Sequence, residues 1–301
     1  MAKLIPVEKK PKLNFAEELE KGNILFFEKS PFPFPPEDLE FLLQQKQTGA
    51  KNRKNIAYKP GKEKITNAVG NEERLLSIMR NYSIQVTTFL KTLLPSYATC
   101  WKLDYASFRP FQEKGRELRL RARNDLLHTD AFPTRPMHGS RILRFFTNIN
   151  PHEARKWMTS MPFEKLVEDY GGEKGVPFPK SPNEHWTGKL QRIIKKAAKK
   201  AGLPVVLRSP YDEFMMHFHN YLKENEEFQK NCPKDHWDFP PGSCWIVFTD
   251  QVSHAALAGQ YALEQTLIIP KSGLVNPELA PISVLERLSR ERMIDPIFSN
   301  H

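Results

Sequence analysis

His128-Thr129-Asp130 places an imidazole and a carboxylate two residues apart. On an extended strand, residues i and i+2 point to the same side, so one ring nitrogen and one carboxylate oxygen converge on a single point. A third ligand from another strand would complete a two-histidine, one-carboxylate face. That face holds Fe(II) and leaves positions open for oxygen and a chelating cosubstrate. A second copy of the pattern, His236-Trp237-Asp238, stands directly before Pro240-Pro241-Gly242. His254 is the candidate third ligand, because it follows the predicted strand Cys244 to Phe248 (CWIVF). Only that strand separates it from the second copy, whereas several strands can return the chain from His128 to a common mouth. The spacing therefore favours His128, Asp130 and His254 as the metal set and reads the second copy as turn chemistry. His217 and His219 share a predicted helix two residues apart, so they diverge by about 160° and cannot chelate one ion. His138, His152, His185 and His301 read as surface or packing residues.

The elements that must position these ligands are mainly strands. Alternation marks strands at Leu118 to Ala122, Arg141 to Ile149 (RILRFFTNI), Cys244 to Phe248 and Tyr261 to Ile269 (YALEQTLII). Short strands between Pro/Gly turns predict a β-sandwich or jelly roll. Helices are predicted from Glu37 to Gln45 and from Asn71 to Leu94. In the second, Asn71 caps, Glu72 and Glu73 suit the first turn, and Pro95 stops the element. Its Leu75, Met79, Tyr82, Val86, Phe89 and Leu93 recur at three- to four-residue spacing and form a core-packing stripe. Trp186 to Ala201 reads as a basic amphipathic helix, and Ser209-Pro210 starts another. The chain divides into an N-terminal irregular and helical region, 1–96, packing on a core, 97–301, that carries a helical insertion at about 151–230.

Length and composition bound the class. A chain of 301 residues with 40% hydrophobic content buries roughly three quarters of its unfolded surface without needing disulfides. Forty-five basic against 35 acidic residues leave a net charge of +10, which favours an anionic partner. No nucleic-acid module accompanies that charge, so nucleic acid is not the expected partner. The loop 46–64 and the helix 189–200 are basic enough to suit a phosphate-bearing membrane surface, where each nearby Lys or Arg is worth roughly 1 kcal/mol. Mean hydropathy is −0.55, and no apolar run reaches the ~18 residues of a membrane span. Three scattered cysteines and an opening, MAKLIPVEKKPKLNF, without a signal-peptide core read as a reducing, cytoplasmic setting with at most peripheral membrane contact.

HTDAFPTRPMHGSRILRFFTNINP resembles the iron-binding segment of the Kdo 3-hydroxylases, Fe(II)- and 2-oxoglutarate-dependent dioxygenases acting on the sugar 3-deoxy-D-manno-oct-2-ulosonic acid. KNIAYKP at 54–60, YDEFMMHFHNYLKENEEFQ at 211–229 and FPPGSCWIVFTDQVSHAALAGQYALEQT at 239–266 extend the similarity over most of the chain. The resemblance implies a double-stranded β-helix wrapped by N-terminal and inserted helices. It implies His128, Asp130 and His254 as the iron ligands, and it implies the reaction. Oxygen and 2-oxoglutarate are consumed, succinate and CO2 are released, and carbon 3 of a Kdo residue on lipid A or its precursor is hydroxylated to give Ko. Ascorbate is an accessory reductant in this chemistry. The alternative acceptor is a protein or another small molecule.

The distal carboxylate of 2-oxoglutarate needs a buried cation, best an Arg that grips both oxygens. Many relatives place it about ten residues after the last iron histidine, but ALAGQYALEQTLIIP contains no Lys or Arg. The strand RILRFFTNI is the substitute. Similarity to prolyl hydroxylases turns its even-numbered residues inward, so Arg144 is expected to anchor the carboxylate with Asn148 as a neighbouring donor, and Arg141 is the alternative. An inward Arg without a counter-charge is very costly, so it demands an anion. Arg135, in the loop AFPTRP, is expected to contact the sugar carboxylate, with Arg109 a second candidate. Arg119, Arg121 and Arg123 alternate on the opposite parity to His128 and Asp130 and read as a basic outer surface.

Overall fold

The computed structural model describes residues 1–45, 55–179 and 205–294. The predicted basic helix 186–201, the loop portion 46–54, His185 and His301 lie outside these residues. Among the described residues eleven strands run in chain order: β1 (Leu4–Pro6), β2 (Ile24–Phe27), β3 (Ile56–Lys59), β4 (Lys64–Thr66), β5 (Lys102–Arg109), β6 (Arg141–Asn148), β7 (Arg155–Pro162), β8 (Asp235–Phe239), β9 (Cys244–Phe248), β10 (Val252–Ala258) and β11 (Ala262–Ile269). The α-helices are α1 (Phe15–Glu20), α2 (Pro36–Leu43), α3 (Glu72–Leu93), α4 (Pro95–Ala98), α5 (Phe163–Tyr170), α6 (Pro210–Glu224), α7 (Glu226–Asn231) and α8 (Pro281–Ser289).

Eight strands form one sheet in the order β1-β2-β9-β6-β11-β5-β3-β4, and three form a second in the order β10-β7-β8. The expected alternation on β6 is what joins the layers. Its odd-numbered Leu143 and Phe145 pack on the side covered by α3, while Phe146 packs with Trp157 of β7, Phe239 of β8 and Trp245 of β9 between the sheets. These rings carry much of the inter-sheet contact: Trp245 stacks on Phe239 with centroids 3.9 Å apart, and Trp157 meets Phe146 edge-on at 4.8 Å. From β5 onward the chain alternates between layers. β5 lies in the large sheet, the segment at His128 extends the small one, β6 returns to the large, β7 and β8 lie in the small, and β9, β10 and β11 alternate again.

Helix α3 follows its sequence signals. Asn71 accepts the Arg74 amide at 3.0 Å, and Leu75, Met79, Tyr82 and Val86 are buried against the large sheet. Phe89 and Leu93 are partly buried there. Three expectations differ from the structure. The segment 1–96 does more than pack on the core, because β1 and β2 extend one edge of the large sheet and β3 and β4 the other. The span 151–230 is not purely helical, since it contains the core strand β7. The strand expected at Leu118 to Ala122 is instead a single 3-10 turn, Leu120–Ala122. Among the described residues no strand pairs with it, and Arg121 and Arg123 bind Glu224 and Asp125.

Candidate metal centre

Main-chain pairing brings the distant ligand in. His128 and His254 face each other as an antiparallel bridge, each amide donating to the other's carbonyl at 3.1 and 2.9 Å. The Asp130 amide donates to the Thr249 carbonyl at 2.9 Å, which ties the carboxylate to the turn that launches β10. The three side chains are buried, and one ligand atom from each lies within 4.8 Å of the others. Among the described residues this is the only such group of three or more. His236 and Asp238 are on strand β8, not in a turn. They point outward and are exposed, with Asp238 3.6 Å from Lys156.

The hydrogen bonding prepares the imidazoles for a metal. His128 Nδ1 lies 2.7 Å from the Leu126 carbonyl and His254 Nδ1 3.2 Å from the Val252 carbonyl. A carbonyl only accepts, so each Nδ1 carries the hydrogen and each Nε2 keeps its lone pair. Burial lowers the pKa of both rings, for His128 well below the ordinary value with the Lys223 charge adding to the effect. Burial opposes ionisation of Asp130, but the Arg144 guanidinium outweighs it and holds the carboxyl well below its usual range. Two neutral imidazoles and one carboxylate are the protonation states a divalent metal requires. Asp130 Oδ2 has Arg144 Nη2 at 2.8 Å but makes no aligned hydrogen bond, so it retains coordinating capacity. The donor set thus fits the iron implied above.

Neighbouring rings fix the ligands from behind. Trp157 stacks on His254 with centroids 5.3 Å apart, and His219 meets His128 edge-on at 4.9 Å. His219 donates from Nδ1 to the Thr129 carbonyl at 2.8 Å. Burial pushes its pKa down to about 4, so it is neutral. It comes from α6, which is held in place by a Ser209/Asp212 capping box. Asp212 also accepts the Met137 and His138 amides at 2.7 and 3.1 Å, locking the helix to the loop that follows Asp130.

The arginines sort differently from expectation. Arg144 points inward beside Asp130, but Glu264 of β11 already binds its Nη1 at 2.7 Å. The anion that an inward Arg demands is therefore supplied by protein carboxylates. Arg109 is likewise committed, 2.8 Å from Glu264 and 3.4 Å from Glu113. Arg141 lies on the other face, fully buried, with Asp250 at 2.9 Å and the Phe248 ring beneath it at 4.2 Å. It braces the start of β6 against the β9–β10 turn and is not brought to the ligand cluster. Asn148 is not brought there either. Its amide donates to the Glu153, Phe239 and Pro240 carbonyls at 2.9 to 3.2 Å, which closes the β6–β7 turn. Arg135 lies in the loop that follows Asp130. There it pairs with Asp104 and lies between the Tyr105 and Phe132 rings, 4.2 and 4.1 Å from their centroids.

Glu264, His219, Lys223 and Trp157 are the neighbours that sequence reasoning missed. An acid inside the otherwise apolar strand YALEQTLII was a legible signal for Glu264. So was the i, i+4 spacing that puts His219 and Lys223 on the helix face shared by Met215 and Leu222.

Residues 5–292 match the sequence profile of the 3-deoxy-D-manno-oct-2-ulosonic acid (Kdo) hydroxylases. The chain belongs to the Kdo hydroxylase family. Among solved structures, it is similar to that of the Kdo hydroxylase KdoO, a non-heme Fe(II) alphaketoglutarate-dependent dioxygenase, in complex with cobalt(II). Identity is 36%, the TM-score is 0.80, and 94% of this chain and 91% of that one are covered. The KdoO complex with alphaketoglutarate and Fe(III) matches at 35% identity and a TM-score of 0.78, covering 93% and 90%. The complex with succinate and Fe(III) matches at 34% and 0.79, covering 94% and 91%. No curated protein sequence matches the chain. As a Kdo hydroxylase family member, the chain is an oxidoreductase of the non-heme iron class. No helix among its described residues is long and apolar enough to cross a membrane.

Proposed function

We propose that this chain hydroxylates carbon 3 of a Kdo residue on lipid A or its precursor, using Fe(II), 2-oxoglutarate and O2. The products are Ko, succinate and CO2: one oxygen atom enters the sugar and the other enters succinate. The observation that carries this reading is the buried His128/Asp130/His254 cluster, already in metal-ready protonation states, in a chain of the Kdo hydroxylase family. The same three side chains would hold the iron, whose bound form supplies oxygen activation coupled to oxidative decarboxylation of 2-oxoglutarate.

The protein's own contribution is placement and exclusion of water. Trp157 and His219 restrain the two imidazoles, and the hydrogen bonds on Nδ1 keep each Nε2 turned toward the site. Arg144 is the cation offered to the distal carboxylate of 2-oxoglutarate. Its Nε is buried with no hydrogen-bond partner, although Glu264 and Asp130 share its charge. Arg135 stands at the mouth, where the stacked Tyr105 and Phe132 hold it rigidly toward an acidic acceptor. The alternation of layers from β5 to β11 supports reading the core as a double-stranded β-helix, with the ligands near one open end. The net charge of +10 supports transient contact with an anionic inner-membrane surface from the cytoplasmic side.

Product analysis tests the proposal. Purified protein with Fe(II), ascorbate and 2-oxoglutarate should convert Kdo-bearing lipid A to a product heavier by one oxygen, with equimolar succinate. Succinate formation that Kdo-bearing acceptors do not stimulate would refute it.

A further inference from the structure

Lys223 is a buried charge for which the metal centre has no evident use. It projects from α6 one turn beyond His219 and is 4% exposed. An ammonium has three N–H donors, yet among the described residues Nζ has one acceptor, the Arg121 carbonyl at 3.1 Å. It shares its helix face with His219, whose ring meets His128 edge-on at 4.9 Å, and its stem crosses from α6 to the segment that leads into His128. Burial lowers its own pKa to about 8, with Asp130 and Asp125 opposing the fall.

The other cations around the centre are already matched. Arg144 has Asp130 and Glu264, Arg109 has Glu264 and Glu113, Arg135 has Asp104, and Arg123 has Asp125. Lys223 makes no ion pair among the described residues. Of the two carboxylates that act on it, Asp125 is bound to Arg123 and Asp130 is a metal ligand. Without a carboxylate of its own among the described residues, this buried ammonium can take an anion from outside the protein.

We propose that Lys223 receives the carboxylate of the acidic sugar and so determines which carbon faces the metal. The inference rests on the Kdo hydroxylase reading and deepens it. The carboxylate carbon of such a sugar is C1 and the hydroxylated carbon is C3, two bonds away. A cation that orients C3 toward the metal must therefore stand beside the ligand cluster and not at the rim. Lys223, one helical turn from the ring packed on His128, meets that requirement. Arg135, at the mouth, is left to contact more distant parts of the acceptor.

The test compares two ligands, a Kdo methyl glycoside and its C1 carboxamide, on full-length protein loaded with Co(II) and 2-oxoglutarate. Binding is read by calorimetry, and the Co(II) absorption spectrum reports whether the ligand cluster is intact in each variant. Wild type should bind the acid at least about tenfold more tightly than the amide, and Lys223→Met should bring the two within about twofold. Lys223→Gln keeps an N–H for the Arg121 carbonyl and should lose the same preference, which separates the charge from the tether. Lys223→Arg should retain part of it. Variants that keep the full preference, or that weaken acid and amide equally, overturn the role of Lys223. A wild-type protein that hydroxylates no Kdo acceptor with Fe(II), 2-oxoglutarate and O2 overturns the parent reading instead, and the inference falls with it.

Discussion

Glu264→Gln probes the charge network behind the metal centre. The carboxylate is almost fully buried; Oε1 takes Arg144 Nη1 at 2.7 Å and Thr266 Oγ1 at 3.1 Å, and Oε2 takes Arg109 Nη2 at 2.8 Å. Glutamine is nearly isosteric, so packing is unchanged, but it offers one acceptor and turns an NH2 toward the other guanidinium. One charge-assisted bond is lost and the other keeps its charged donor but loses its anionic acceptor. Breaking a buried pair from one side costs about 3–5 kcal/mol. Here Arg144 retains Asp130 and Arg109 retains Glu113, so the lower end applies, about 3 kcal/mol. The assay is urea unfolding at neutral pH, followed by tryptophan fluorescence, with wild-type and variant slopes compared to confirm a common unfolded state. A loss below about 1 kcal/mol would show that the network contributes little beyond solvated charges, and the account of Arg144 as already neutralised by protein groups would fail.

His128→Ala and Asp130→Ala should each abolish succinate formation and Co(II) binding while leaving far-ultraviolet circular dichroism close to wild type; retained turnover in either would count against the metal assignment. Arg144→Ala should raise the 2-oxoglutarate concentration needed for half-maximal rate by at least about tenfold, and an unchanged requirement removes it as the anchor. Arg141→Ala should instead cost about 3–5 kcal/mol of stability, because it strands the fully buried Asp250; a stable variant with a raised 2-oxoglutarate requirement would reverse the two roles. Glu113 gives a pH signature. Burial would raise its pKa, but Arg155, Arg109 and Arg116 outweigh burial and hold it at about 2, against an ordinary 4.5. A depressed folded-state value means its contribution, about 3 kcal/mol, is complete above pH 4.5 and lost as pH falls through that value toward 2. Glu113→Gln should flatten the stability profile in that window, and an unaltered slope would refute the assignment.

What the chain alone determines is local chemistry. His-x-Asp on an extended segment sets two ligands side by side. Alternation on RILRFFTNI decides that Arg144 and Arg141 occupy opposite faces, and the Asn71 cap and Pro95 stop bound the long helix. Each depends on backbone geometry over a few residues, so it can be read without a partner. Tertiary pairing decided the rest. Whether Leu118 to Ala122 becomes a strand depends on a neighbour to complete its hydrogen bonds, and among the described residues there is none. Whether Arg144 lacks an anion depends on Glu264, which reaches it only because β11 and β6 are adjacent. Which histidine joins His128 and Asp130 depends on the two hydrogen bonds between His128 and His254, which bring distant segments together. His219 reaches His128 because Asp212 locks α6 onto the loop after Asp130. Charge compensation and pair register are properties of distant segments in contact, and no window of sequence contains them.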